Sequence, residues 1–138
     1  MSKYNISKII ELLHWSNSEA EQQRGIDCAE KVKELNVFLQ PDEDKGLWNN
    51  CARVLVKHTD NELSPYVPEL LEWCQDMNWP GAEIIYDRLL KMDNQEYSKA
   101  LSDSISIAKN EKNFVWLAYL LNLQEKKPFW QERNQSQS

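Results

Sequence analysis

An all-α fold is predicted by three observations on this chain of 138 residues. Glycine is scarce, with only three in the sequence, and the period-two alternation of half-buried strands is nearly absent. Apolar residues recur instead at three- and four-residue steps through seven successive stretches, the spacing that puts them on one helix face. The pattern E-L-L-x-W occurs twice, at Glu11–Trp15 and Glu69–Trp73, each copy ahead of a glycine, Gly25 or Gly81. A repeated helical unit predicts about seven helices arranged as antiparallel hairpins in a short HEAT-like α–α superhelix. The two copies lie 58 residues apart, more than one HEAT unit of roughly 40–47 residues. An extra helix between them accounts for the excess, and a compact helical bundle is the alternative architecture.

The first helix is predicted over 5–15, with Ile6, Ile9, Ile10 and Leu13 on one face. Ser18-Glu19-Ala20-Glu21 has the form of a capping box, in which Ser and Glu reciprocally satisfy two orphan N–H groups. It opens a second helix expected to reach about Leu35, with Ile26, Ala29, Val32 and Leu35 inward. Gly25 inside that helix costs about 1 kcal/mol relative to Ala, which a close helix crossing would offset. Residues 36–45 are irregular, and Phe38 is expected to plug the core from them. A third helix over 46–58 carries Trp48, Cys51, Ala52 and Leu55 as its stripe.

Thr59-Asp60-Asn61-Glu62 is a second capping signal. Because Pro65 and Pro68 are tolerated only in a first turn, a short turn over 61–64 followed by a helix over 68–77 is predicted. Val67, Leu70, Leu71, Cys74 and Met77 form its inner face, leaving Glu69, Glu72 and Asp76 outside. Pro80 is placed at the first position of the next helix, with Trp79 packing back against it and Ala82, Ile85, Tyr86 and Leu89 inward. Residues 93–96 read as a cap for a helix buried through Tyr97, Leu101, Ile105 and Ala108. The last helix, over 114–124, is assigned Phe114, Leu117, Ala118 and Leu121 as its stripe. Residues 1–127 are expected to form one domain, with residues 128–138 a partly disordered tail.

Charge limits the choice of partner. The net charge is −6, and residues 59–96 hold nine Asp or Glu against Arg88 and Lys91. Nucleic-acid binding leaves a basic footprint, so no nucleic-acid partner is expected. The same argument disfavours a DNA-glycosylase reading, which needs a basic cleft. Cys28, Cys51 and Cys74 are odd in number and sit among apolar residues. They predict buried thiols in a reducing compartment, so the cytoplasm is expected. No basic-then-apolar leader opens the chain, and no apolar run is long enough to span a membrane.

At Leu70-Leu71-Glu72-Trp73-Cys74-Gln75-Asp76-Met77-Asn78-Trp79-Pro80-Gly81-Ala82 the sequence resembles a bacterial family, the domain of unknown function 5071. The resemblance covers about 47–124 and implies HEAT-like helices. It implies no activity, cofactor or catalytic residue.

Chemistry-bearing constellations are sparse. His14 and His58 have no C-x-x-C or H-x-x-x-H around them, so no metal or cofactor is expected. His14 occupies the slot of the repeat that Glu72 fills in the second copy, and is read as solvated. No G-x-S-x-G or Gly-rich phosphate loop exists, and no catalytic residue is assigned. The predicted function is therefore a non-catalytic protein–protein interaction module. Its speculative partner-binding residues are Glu69, Glu72, Asp76, Trp73, Trp79 and Trp15, the acids steering a basic protein and the aromatics anchoring it. A monomer is expected. The alternatives are an immunity protein neutralising a basic toxin and an unrecognised enzyme.

Overall fold

The computed structural model describes residues 5–41, 44–92 and 95–125. The described residues are helical and contain no strand. The helices are α1 (Ile6–Leu12), α2 (Glu19–Ala29), α3 (Lys45–Leu55), α4 (Asp60–Leu63), α5 (Val67–Trp73), α6 (Ala82–Lys91), α7 (Gln95–Glu111) and α8 (Phe114–Glu125). Helix α4 is a single turn joined to α5 by a 3-10 turn at Ser64–Tyr66, which is how the chain accommodates Pro65 and Pro68. The cap expected at Asp93-Asn94 and the tail at 128–138 lie outside the described residues.

Both predicted capping boxes form. Ser18 accepts from the Glu21 N–H while Glu21 accepts from the Ser18 N–H, and Thr59 and Glu62 do the same for α4. Helix α1 ends earlier than predicted. The Asn17 side-chain amide donates to the carbonyls of Glu11 and Leu12 at 2.7 and 3.1 Å, capping the C-terminus before Trp15. Helix α2 stops at Ala29, not Leu35. Val32 and Leu35 still reach the core, from a turn and a 3-10 segment, Leu35–Phe38. Phe38 is fully buried from that segment, as its sequence position predicts.

Helix α1 packs on α2, and α7 on α8; α3 lies against α2 and α6, and α5 against α6 and α7. Gly25 allows the first of these contacts. A Cβ there would lie 2.8 Å from Leu12 Cβ, so the helix-weakening glycine is the condition of close approach. One core runs through all of these contacts, from Ile9 to Leu123.

Helix α8 buries a different face from the one predicted, with only Leu117 of the predicted stripe, half-buried, packed against the core. Trp116, Leu120 and Leu123 are buried, and the Trp116 indole N–H donates to the Leu71 carbonyl at 2.9 Å. Phe114, Ala118 and Leu121 share the opposite face and are exposed. The helix is apolar on both sides, so periodicity alone could not say which side faces inward.

Candidate interaction surface

The string Asn78-Trp79-Pro80-Gly81 packs closely against α3 and α5. Trp73 is 0% exposed, and its indole N–H donates to the Pro80 carbonyl at 3.0 Å. Trp48 stands edge-on to both Trp73 and Trp79, with ring centroids 6.3 and 5.8 Å apart, a geometry that aligns a positive ring edge with a negative ring face. Gly81 has φ +84° and is the N-cap of α6. A Cβ there would lie 2.8 Å from Ala52 Cβ and 2.9 Å from the Trp48 carbonyl. Pro80 therefore precedes the cap and does not open the helix.

One expected partner residue is thereby corrected. Trp73 is sealed in the core and offers nothing to a partner. Trp79 is half-buried in the same aromatic cluster, beside a small cleft of about 330 Å³ that also touches Asn49 and Glu83. Asp76 lies past the end of α5, where its carboxylate accepts the Asn78 N–H at 2.9 Å and shapes the turn. It therefore does not share a helix face with Glu69 and Glu72. Trp15 is 60% exposed, but its contacts are with His14 and, through its N–H, with the Gly46 carbonyl. The two copies of E-L-L-x-W are thus unlike. One ends outside its helix and the other is locked in the core.

Glu69 and Glu72 are exposed on α5, and Glu111 at the end of α7 joins them. Partial burial pushes the Glu72 carboxyl up, and repulsion from Glu69 and Glu111 pushes it further. Lys109 and Lys112 flank Glu111 on the chain without reversing that repulsion. Immediately beyond the α7–α8 turn stand Phe114 and Val115, 66% and 61% exposed, and Leu121 follows at 42%. The turn is fixed to α5, because Asn113 donates to the Gln75 side chain at 3.1 Å and Trp116 to Leu71. Helix α5 and the α7–α8 turn thus carry an exposed set of acidic and apolar side chains, Glu69, Glu72, Glu111, Phe114 and Val115. The sequence reading found two of its acids and missed its hydrophobic part. The signal was present in the all-round apolarity of α8.

Two polar clusters lie elsewhere. Ser16 Oγ is 2.8 Å from His14 Nδ1, and His14 Nε2 is 3.5 Å from Asp44 Oδ1. The order resembles a nucleophile–base–acid relay. However, the Ser16 backbone N–H also donates to Nδ1 at 3.1 Å, which makes this a local turn closing the end of α1. The neighbouring groove of about 470 Å³ is lined by Ser7, Ile10, Glu11, His14, Asp44 and Leu47, and the serine stands outside it. His14 is half-buried rather than solvated, since its ring lies against Gly46.

At the second cluster, Glu62 receives the Thr59 N–H at 2.9 Å and faces His58 Nδ1 at 3.2 Å. The Thr59 bond holds the Glu62 carboxyl below the usual range, and His58 adds to it. Arg88 bonds Asp60 at 2.6 Å and the His58 carbonyl at 2.9 Å, tying α4 to α6. These bonds are structural clamps. Among the described residues no three His, Cys, Asp or Glu converge on a metal position, and no helix is long and apolar enough to cross a membrane. All three cysteines are free, with Cys51 and Cys74 buried. Burial pushes both of those thiols up to about 12.

Residues 42–136 match the sequence model of a family described as Domain of unknown function (DUF5071). The chain belongs to this family. No curated protein and no solved structure matches it. Within this DUF5071 chain, the string from Leu70 to Ala82 supplies Trp73 and Trp79 to the cluster they form with Trp48, and holds the positive-φ turn at Gly81. Its residues hold α3, α5 and α6 together, so their primary work is packing.

Proposed function

We propose that this protein is a non-catalytic binding module that docks another protein on the surface formed by α5 and the α7–α8 turn. The single observation that supports this most is the meeting of crowded carboxylates with large exposed apolar side chains. Glu69 and Glu111 repel Glu72, and Phe114 and Val115 stand exposed just past the α7–α8 turn that Glu111 precedes. Each feature alone is common on a protein surface. Together they describe a site that a cationic, apolar partner would relieve on both counts, gaining Coulomb energy and removing apolar area from water. We read the helical hairpins as a short HEAT-like stack and the cytoplasm as its place of work.

Photo-crosslinking tests this reading. A benzophenone side chain placed at Val115 is expected to capture a discrete partner in native cytosol, while the same probe at Glu19 captures none. The combined changes Glu69→Gln, Glu72→Gln and Glu111→Gln should abolish the Val115 product. A product that survives those changes, or no product at Val115, refutes the reading.

A further inference from the structure

Among the described residues, four tryptophans sit in or against the core, and three of them satisfy the indole N–H inside the protein. Trp48 donates to the Pro41 carbonyl, Trp73 to Pro80 and Trp116 to Leu71. Trp79 differs. It is half-buried, yet its N–H meets no acceptor among the described residues and is open to water. An indole this far out of water ordinarily finds a partner for its N–H. Trp79 lines the cleft of about 330 Å³ between α3 and the start of α6, a volume at the small end of the range of ligand sites.

The other polar side chains of the cleft are also unused. Asn49 on α3, Asn78 in the turn and Glu83 in the first turn of α6 form no side-chain hydrogen bond or ion pair with the described residues. No Lys, Arg or His lines the cleft among the described residues, and Met77 and Ile84 add half-buried apolar area. An anion would meet Glu83 with no cation beside it. A cation would leave the Trp79 N–H without an acceptor. An apolar ligand would strip water from four polar side chains without replacing it. A hydroxyl both donates and accepts, so it can receive an N–H from Trp79 and give its proton to Glu83. A peptide group holds its donor and acceptor on opposite sides, whereas a sugar ring carries both on each hydroxyl. The ring also has a C–H face for Met77 and Ile84.

We propose that the cleft formed by Asn49, Asn78, Trp79 and Glu83 binds one ring of a neutral sugar. Ring hydroxyls accept from the Trp79 indole and donate to the Glu83 carboxylate. Asn49 and Asn78, each with a donor and an acceptor, engage the hydroxyls between them. The site shares no residue with Glu69, Glu72, Glu111, Phe114 and Val115, so it stands or falls independently of the protein-docking role.

The test titrates the full chain with glucose, galactose, mannose and N-acetylglucosamine. Methylguanidinium, acetate and N-acetylglycine N-methylamide serve as the cation, anion and peptide-group controls. Proton–nitrogen correlation spectra resolve the Trp79 indole N–H and the side-chain amides of Asn49 and Asn78. At least one of the four sugars is expected to shift these signals saturably, and the controls to leave them unmoved at equal concentration. Asn49→Ala combined with Glu83→Ala should weaken that binding tenfold or more, the loss expected for one neutral and one charge-assisted hydrogen bond. That double variant should stay folded by urea unfolding, because both side chains are exposed and unpaired among the described residues. Trp79→Phe should weaken binding severalfold while keeping an aromatic ring in place. No saturable shift with any of the four sugars overturns the proposal. An equal response to methylguanidinium, acetate or the peptide amide also overturns it, since the cleft then reads a charge or a backbone. So does a sugar response that survives the double change or maps away from these three side chains.

Discussion

Replacing Gly81 by Ala tests a close approach of three helices with a single methyl group. Two penalties act there. At φ +84°, an L-residue with a Cβ costs about 1–2 kcal/mol in the left-handed region. The added Cβ also meets Ala52 Cβ at 2.8 Å, the Trp48 carbonyl at 2.9 Å and Trp73 at 3.1 Å. Two of these neighbours, a backbone carbonyl and a methyl on α3, cannot rotate away, so an overpacking cost of about 1–3 kcal/mol applies. Loss of glycine's freedom in the unfolded chain returns about 0.4–1 kcal/mol. The net expected loss is about 2–4 kcal/mol, a large share of the roughly 5–15 kcal/mol that holds a domain of this kind together. Urea unfolding followed by tryptophan fluorescence measures it, since Trp48, Trp73 and Trp79 report on the site. Gly81→Asn should fall between wild type and Gly81→Ala, because Asn tolerates positive φ but keeps the Cβ contacts. A Gly81→Ala protein within about 0.5 kcal/mol of wild type would refute both the backbone conformation and the close approach.

Other outcomes follow from the same structure. Trp73→Ala should cost about 3–5 kcal/mol as a large buried truncation, whereas Trp15→Ala should stay within about 0.5 kcal/mol; equal losses in urea unfolding would contradict their opposite burial. A disulfide thiol reagent should titrate Cys28 alone in the native protein and all three cysteines in denaturant, because Cys51 and Cys74 are buried with thiols raised to about 12. Glu72 has a folded pKa above its unfolded one, so its ionised form opposes folding above the unfolded pKa, and that opposition fades as pH falls through the folded value. Glu72→Gln should therefore raise the urea midpoint at pH 7 and lose its advantage below the carboxylate range; a lower midpoint at pH 7 would show Glu72 to be stabilised instead.

Local signals in the sequence translated well where the chain itself supplies the partner. Ser18 with Glu21 and Thr59 with Glu62 are capping boxes in sequence and in structure, because both halves of each lie within three residues. The inner faces of α3 and α7 were legible, since Trp48, Cys51, Ala52 and Leu55 and Tyr97, Leu101, Ile105 and Ala108 are all buried as their periodicity predicts. What failed depended on distant contacts. Trp15 and Trp73 occupy the same slot of one motif, and only the Asn17 amide on one side and the Pro80 carbonyl on the other separate exposed from buried. Helix α8 was assigned the wrong face because both its faces are apolar, and the choice is made by Leu71 accepting the Trp116 indole N–H 45 residues away. The acids Glu69 and Glu72 were found as a helical pair. Glu111 was missed, since it reaches them only through the packing of α7 on α5.

The salt dependence of affinity for the partner captured at Val115 tests the central claim most directly. Wild-type affinity should fall as salt is raised, and the Glu69→Gln, Glu72→Gln and Glu111→Gln protein should bind more weakly with a flatter dependence. Identical affinity and identical salt slope in the two proteins would contradict an acidic docking surface at the α7–α8 turn.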